Sequence, residues 1–287
     1  MLAGFVGAGK VGFSLGKFMT ENGIQVTGYY SRHRESAEEA AIFTGSQAYY
    51  ELEEIVSESD AVCLTVPEAA ISSTYEQLKT FDIRDKYICH CSGALSASET
   101  FPDAAARGAL GYSIHPLTPV SDKHSSYREL ADSLFCIEGD PERIDVWFDL
   151  LSGICKGVKI IDSTCKSRYH AAASIASNLY CALMSMSVGL LEECGFRQSE
   201  ALDALSPLVL ANASAILRYG PVKALTGPIE RGDADTVRRH IDCLEGNPAK
   251  ALYLEAAEMV LHEAEIKNPQ RDYHALHEVL IRSRSEV

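Results

Sequence analysis

The residues Gly7-Ala8-Gly9-Lys10-Val11-Gly12 follow an apolar run at 2–6 and open a helical pattern at 11–22. A G-x-G-x-x-G between a strand and a helix can cradle a dinucleotide pyrophosphate. In such a loop Gly7 permits the tight turn, Gly9 lets the backbone approach the phosphates, and Gly12 lets the helix pack close to the strand. The helix start adds N–H groups and a positive dipole end. The plainer alternative is a glycine-rich turn with no ligand. The next strand ends in Tyr30-Ser31-Arg32-His33-Arg34, with no carboxylate before Glu35. NAD chemistry wants an acidic residue there for the ribose hydroxyls. Ser31 can instead donate to a 2′-phosphate, and Arg32 and Arg34 can pair with it. The expected cofactor is NADP(H) rather than NAD(H); the alternative leaves both arginines as solvated charges.

Three more strand ends face the crevice where such sheets bind ligands. Leu64-Thr65-Val66-Pro67 stops a strand at its proline, which places Val66 and Pro67 at the cofactor. His90-Cys91-Ser92-Gly93 offers Ser92 and Gly93 to the nicotinamide ribose, or a plain turn. His115-Pro116-Leu117 offers His115 to a substrate, or a structural histidine. Further on, Lys166, His170, Ser174 and Asn178 recur every four residues, one face of a helix. That stripe either packs through small residues or lines a site. In 225–233, Thr226, the Gly227 backbone and Arg231 can orient or pair with a small carboxylate, the other reading being a turn with Asp233 as helix cap. Tyr219 and Lys223 also fit Y-x-x-x-K, but Gly220 and Pro221 break any helix between them.

The elements that must position these groups change character once. Strand-like runs at 2–6, 25–30, 61–66, 87–91, 109–114, 134–138 and 158–161 alternate with helical segments such as 11–22 and 36–43. That pattern predicts βαβ units and a mainly parallel sheet. After Asp162 only helices are expected: 163–194, 199–219 with a kink at Pro207, 233–244, 247–266 and 271–283. The expected division is a Rossmann-type α/β domain at 1–162 and an all-α domain at 163–287. A length of 287 residues fits two domains.

A formal net charge of −14 argues against a nucleic-acid partner. Nine cysteines contain no C-x-x-C, so zinc-ribbon and thioredoxin readings fail and no metal is expected. Cys89, His90 and Cys91 would alternate faces on a strand and cannot share one ion. Reduced thiols point to the cytoplasm, and the N-terminus lacks a signal-peptide pattern. Residues 171–191 carry no charge and could span a bilayer by length. Five serines and asparagines within that stretch favour a buried helix, apolar almost all round, so no membrane partner is expected.

GAGKVG, the SR after the second strand, LTVP, HCSG and IHPL together resemble the F420-dependent NADP oxidoreductase-like Rossmann domain. YHAAASIASN and ALTGPIERGD resemble the helical DUF2520 family. The pairing is similar in architecture to ketopantoate reductases, pyrroline-5-carboxylate reductases and the 6-phosphogluconate/β-hydroxyacid dehydrogenase superfamily. The resemblance implies an NADPH-dependent oxidoreductase acting on a small 2-oxo acid, ketopantoate first. A pyrroline-carboxylate imine, a non-catalytic NADP(H) sensor and a deazaflavin partner are the alternatives. The β-hydroxyacid dehydrogenase pattern places a catalytic Lys four residues before an Asn on the long helix. Counting back from Gly195 puts Asn178 at the Asn and Ser174 at the Lys. Asn178 then orients substrate, and His170 becomes the candidate proton donor, through Ser174 or a water. Lys166 is read as too remote. The resemblance also implies a homodimer through the helical domain.

Overall fold

The structure is a computed structural model that describes residues 1–285. Contacts divide it into two compact units, Met1–Asn178 and Leu179–Val287.

The first unit is built on one eight-stranded sheet: β1 (Ala3–Val6), β2 (Val26–Tyr30), β3 (Gln47–Tyr49), β4 (Ala61–Leu64), β5 (Tyr87–His90), β6 (Leu110–Pro116), β7 (Leu134–Gly139) and β8 (Gly157–Ile160). The order is β3-β2-β1-β4-β5-β6-β7-β8. The β6–β7 pair is antiparallel and every other neighbour is parallel. All four residues of β1, β4 and β5 are buried, as expected where helices cover both faces of a parallel sheet. Alternation splits the core in two. Phe5, Cys63, Cys89, Tyr112 and Trp147 fill one face, while Val6, Val62, Leu64, Ile88 and Phe101 fill the other. The chain leaves β1 for β2 and returns on its far side as β4, so the sheet's reversal lies between β1 and β4. That is where such sheets open a ligand crevice.

Two expectations change here. β3 is an extra edge strand of three residues, too short to show a period. The single helix expected at 163–194 is a 3-10 turn (Ser163–Cys165) followed by helices Lys166–Ala176 and Asn178–Glu193, separated at Ser177 with φ −119° and ψ −77°. Asp162 caps the turn through the Thr164 N–H. The helix Lys166–Ala176 belongs with the sheet because its first residue is buried against β6, where Lys166 Nζ donates to Ser113 Oγ at 2.5 Å. The contacts therefore divide the chain after Asn178 rather than after Asp162.

Among the described residues of the second unit there is no strand. Its core gathers Ile229, Val237, Ile241, Leu254, Leu261, Tyr273 and Leu276 from the helices after residue 227. The expectation of a buried apolar helix fails. Asn178–Glu193 buries only Val188, and Gln198–Tyr219 buries only Ala201. Leu208 and Leu210 are two-thirds exposed and Leu217 is 89% exposed. By length and composition, Ser163–Glu193 and Gln198–Tyr219 are each apolar enough to cross a membrane, with mean hydropathies of 1.4 and 1.3.

Candidate active site

The glycine loop turns tightly over the end of β4. Gly7 has φ +111°, and a Cβ there would lie 2.7 Å from the Thr65 carbonyl carbon. A Cβ on Gly12 would lie 2.3 Å from Thr65 Oγ1 and 2.5 Å from Gly7 O. Thr65 itself donates from Oγ1 to Gly7 O at 2.7 Å, so this threonine pins the turn. Gly9 differs from both. The nearest atom to a Cβ there is Thr65 O at 3.9 Å, so the protein leaves that space open. Gly9 caps the helix Lys10–Glu21, which has no side-chain cap bond and no acidic residue in its first turn. The N–H groups at this helix start are therefore available to an anion.

A groove runs from this loop along the end of β2. Gly7, Ala8, Gly9, Ser31 and Arg32 line it, with Val66 and Pro67 on the opposite wall. His33 and Ser36 also line it, which the sequence reading did not single out. Arg34 does not: its guanidinium lies 4.9 Å over the Tyr50 ring. Lys10, Val11, Gly12, Ser92 and Gly93 are likewise outside the lining. Ser92 is already engaged: its Oγ donates at 2.5 Å to Glu68, the first residue of the helix after β4, and accepts from the Leu95 N–H of its own loop.

A second cavity, of about 520 Å³, lies beside β6 and the helix Lys166–Ala176. It brings together His115, His170, Ser174 and Asn178, and adds Tyr169. His115 Nδ1 lies 2.8 Å from the Tyr169 hydroxyl. The His115 and His170 rings stand edge to face at 6.2 Å. Gly93 packs against both rings. A Cβ there would lie 2.5 Å from His170 Cδ2 and 2.9 Å from His115 Nε2, so both imidazoles rest on this glycine.

Below the cavity is a buried polar layer. Lys166 is 1% exposed, and burial lowers its proton affinity while Glu138 opposes that. Ser113, its acceptor, donates in turn to Ser92 O at 3.2 Å. Ser113 pairs across the sheet with Glu138, whose Oε1 accepts from the Ala97 N–H. Burial raises the Glu138 carboxyl above its usual range. His115 is pushed down to about 4, first by burial and then by Lys166 and His170. His90 is pushed down to about 3, mainly by burial. Its Nδ1 accepts from the Ser92 N–H, which makes it a structural group. Lys166 is therefore buried behind the site, bonded to Ser113, and is not among the residues that line the cavity. Remoteness from Asn178 along the helix is not remoteness from β6.

Thr226, Gly227 and Arg231 belong to the second unit. Asp233 caps the helix Ala234–Cys243 through the Thr236 N–H. The organising residue of this motif is Glu230, whose carboxylate accepts from Asn268 at 2.8 Å and whose carbonyl accepts from the Tyr273 hydroxyl at 2.7 Å. Gly220, at φ +84°, ends one helix and Pro221 starts another, so Tyr219 and Lys223 share no helix.

The sheet order, the glycine turn and the helical second half define a chain of the Rossmann-like class with an appended helical domain. Residues 1–116 match the Rossmann-like domain family, and residues 133–260 match DUF2520, a domain of unknown function. No curated protein matches the sequence. Among solved structures, protein TM1727 from Thermotoga maritima is 27% identical, with a TM-score of 0.74 over 93% of this chain and 99% of that one. A Bacteroides fragilis protein provisionally named an NADP oxidoreductase is 20% identical, with a TM-score of 0.68 over 91% and 98%. A reductive aminase from Aspergillus terreus, in complex with NADPH and ethyl-5-oxohexanoate, is 16% identical, with a TM-score of 0.61 over 99% and 93%. The last two are similar in fold alone.

Proposed function

We propose that this chain is an NADPH-dependent reductase of a small C=O or C=N compound. The observation that carries the reading is the open space at Gly9 beside an uncapped helix start, continuous with a groove that ends at Ser31 and Arg32. A pyrophosphate fits the first and a 2′-phosphate fits the second. The bound cofactor would supply the hydride. The chain's own residues do the rest. His170 delivers the proton, Ser174 and Asn178 orient the substrate, and His115 meets its polar end. Ketopantoate is the first 2-oxo acid to test. A pyrroline carboxylate is the first imine, favoured by the pyrroline-5-carboxylate reductase from Coxiella burnetii and the imine reductase from Myxococcus stipitatus among the structural neighbours.

The test is NADPH and NADH oxidation with each substrate, together with direct binding of both cofactors. NADPH should bind at least about tenfold tighter than NADH, a difference of about 1.4 kcal/mol. Arg32→Ala should erase most of that preference. Equal affinity for the two cofactors would remove the phosphate reading. Tight NADPH binding without turnover of any carbonyl or imine would leave a sensor.

We infer that Asn178–Glu193 and Gln198–Tyr219 are covered by a second copy of the chain. Leu183, Leu208, Leu210 and Leu217 are 44–89% exposed on these two helices, and clustered exposed leucines mark an interaction surface. A closed two-fold dimer is the commonest way to bury such a face. Sedimentation should give a dimer, and Leu210→Asp with Leu217→Asp should give a monomer. A monomeric wild type that partitions into lipid vesicles would overturn this.

A further inference from the structure

We propose that the cavity beside β6 takes an uncharged carbonyl or imine compound with an apolar body, and disfavours one that carries a carboxylate. The reaction rests on the reductase reading; what the cavity binds does not.

The chemistry of the walls carries the proposal. Every residue that lines the cavity belongs to the first unit. Along the helix Lys166–Ala176, residues three and four apart share a face. Tyr169, Ala172, Ala173 and Ala176 therefore form one row. His170 and Ser174 form a second row beside it, which Asn178 continues at the start of the next helix. The alanines of the first row present only methyl groups, whereas the second row offers hydrogen bonds. Leu117 and Pro119, just past β6, add a further apolar surface. The alanines are short, which leaves about 520 Å³ of space. A polar strip against an otherwise apolar wall holds a small molecule by its body and orients it by one polar group.

Charge decides which molecule. Among the described residues, the lining holds no lysine, arginine, aspartate or glutamate. Lys166 does not supply the missing cation, because it is 1% exposed and its Nζ is bonded to Ser113 Oγ. A carboxylate entering the cavity would exchange water for methyl groups and gain no fixed cation, which is unfavourable. The two imidazoles do not change this. His115 Nδ1 already faces the Tyr169 hydroxyl at 2.8 Å. The proton that His170 delivers goes to the substrate oxygen or nitrogen, which leaves a neutral ring beside the product. A carbonyl or an imine needs only the hydrogen bonds that His170, Ser174 and Asn178 can make. Within the two compound classes proposed above, the cavity therefore favours members without a carboxylate. Ketopantoate should be a poorer substrate than a ketone of its size.

The test compares benzylacetone with benzylpyruvate, which share one body and differ in a methyl against a carboxylate on the carbonyl carbon. Binding to the full chain is read by ligand-detected NMR at about pH 8, where an ordinary imidazole is neutral. Turnover is read with NADPH in the same buffer. Benzylacetone should bind at least about tenfold tighter, and its kcat/KM should exceed that of benzylpyruvate by a similar factor. Leu117→Arg puts a guanidinium on the wall at a position that is 41% exposed, and it should reverse the order. Equal or tighter binding of benzylpyruvate to the wild type would overturn the proposal, as would an order unmoved by Leu117→Arg or no binding of either compound. A benzylpyruvate preference that Arg231→Ala removes would also overturn it, and would give the carboxylate to that arginine. Binding in the expected order without NADPH-dependent turnover would sink the reductase reading alone.

Discussion

His170→Ala is expected to lower kcat for reduction by about 10²–10⁴-fold while leaving the NADPH Kd within about twofold, the range set by losing a general acid. His170 lies on the helix Lys166–Ala176 and lines the second cavity, whereas the cofactor groove is lined by residues from the glycine loop and the ends of β2 and β4. Its ring packs on Gly93, just past the carboxyl end of β5, which the proposed function makes the place of the reacting carbon. A group in that place touches substrate rather than cofactor, so binding and chemistry should separate. Stopped-flow hydride transfer and equilibrium NADPH binding would measure the two. A variant that raises KM with kcat unchanged would make His170 an orienting residue and pass the proton role to Tyr169 or a water.

The parts of this fold that were legible in the sequence are those with a local pattern. The glycine spacing, the alternation of strands with helices and the change of character after β8 all sit within short windows. β3 was missed because Gln47–Tyr49 spans less than two periods of a strand. The break at Ser177 was missed because helical spacing persists across it: Ser177 still donates its N–H to Ala173 O at 3.1 Å. The burial of 171–191 was misread for a different reason. Apolar composition records that a helix needs covering, not what covers it, and a partner outside the chain leaves the same signature as a core.

The site was half legible. The four-residue stripe put His170, Ser174 and Asn178 on one face, and all three line one cavity. It did not show what holds Lys166, because that contact, Ser113 on β6, is 53 positions away in the chain. Tyr169 lies off the stripe and was not considered. Its hydroxyl gains meaning only through His115, again from another element. In the second unit, Arg231 drew notice as a charge in a turn. The hydrogen bonds that hold the turn belong to its neighbour Glu230, whose partners Asn268 and Tyr273 come from the far end of the chain. Long-range pairing carries these roles, and no local spacing encodes it.

Gly9 and Gly12 look alike in the motif, yet alanine should affect them in opposite ways. Gly9 has φ −80° and ψ −174°, an extended conformation open to any residue. A methyl there would meet nothing closer than 3.9 Å. Gly9→Ala reduces the freedom of the unfolded chain, worth about 0.4–1 kcal/mol, and loses a few tenths as a helix cap. Its Tm should stay within about 2 °C of wild type. The methyl would, however, occupy the space in which a pyrophosphate must sit, so NADPH affinity should fall about tenfold or more. Gly12→Ala would place its methyl 2.3 Å from Thr65 Oγ1 and 2.5 Å from Gly7 O. The second atom is backbone in the tight turn and cannot swing away, so overpacking should cost about 1–3 kcal/mol of stability whether or not cofactor is present. Thermal melts with and without NADPH distinguish the two: Gly9→Ala should lose the ligand-induced rise in Tm, and Gly12→Ala should melt early in both. If Gly9→Ala retained the full NADPH-dependent rise, the open space at Gly9 would not be where the phosphates bind, and the groove would lose its claim as a cofactor site.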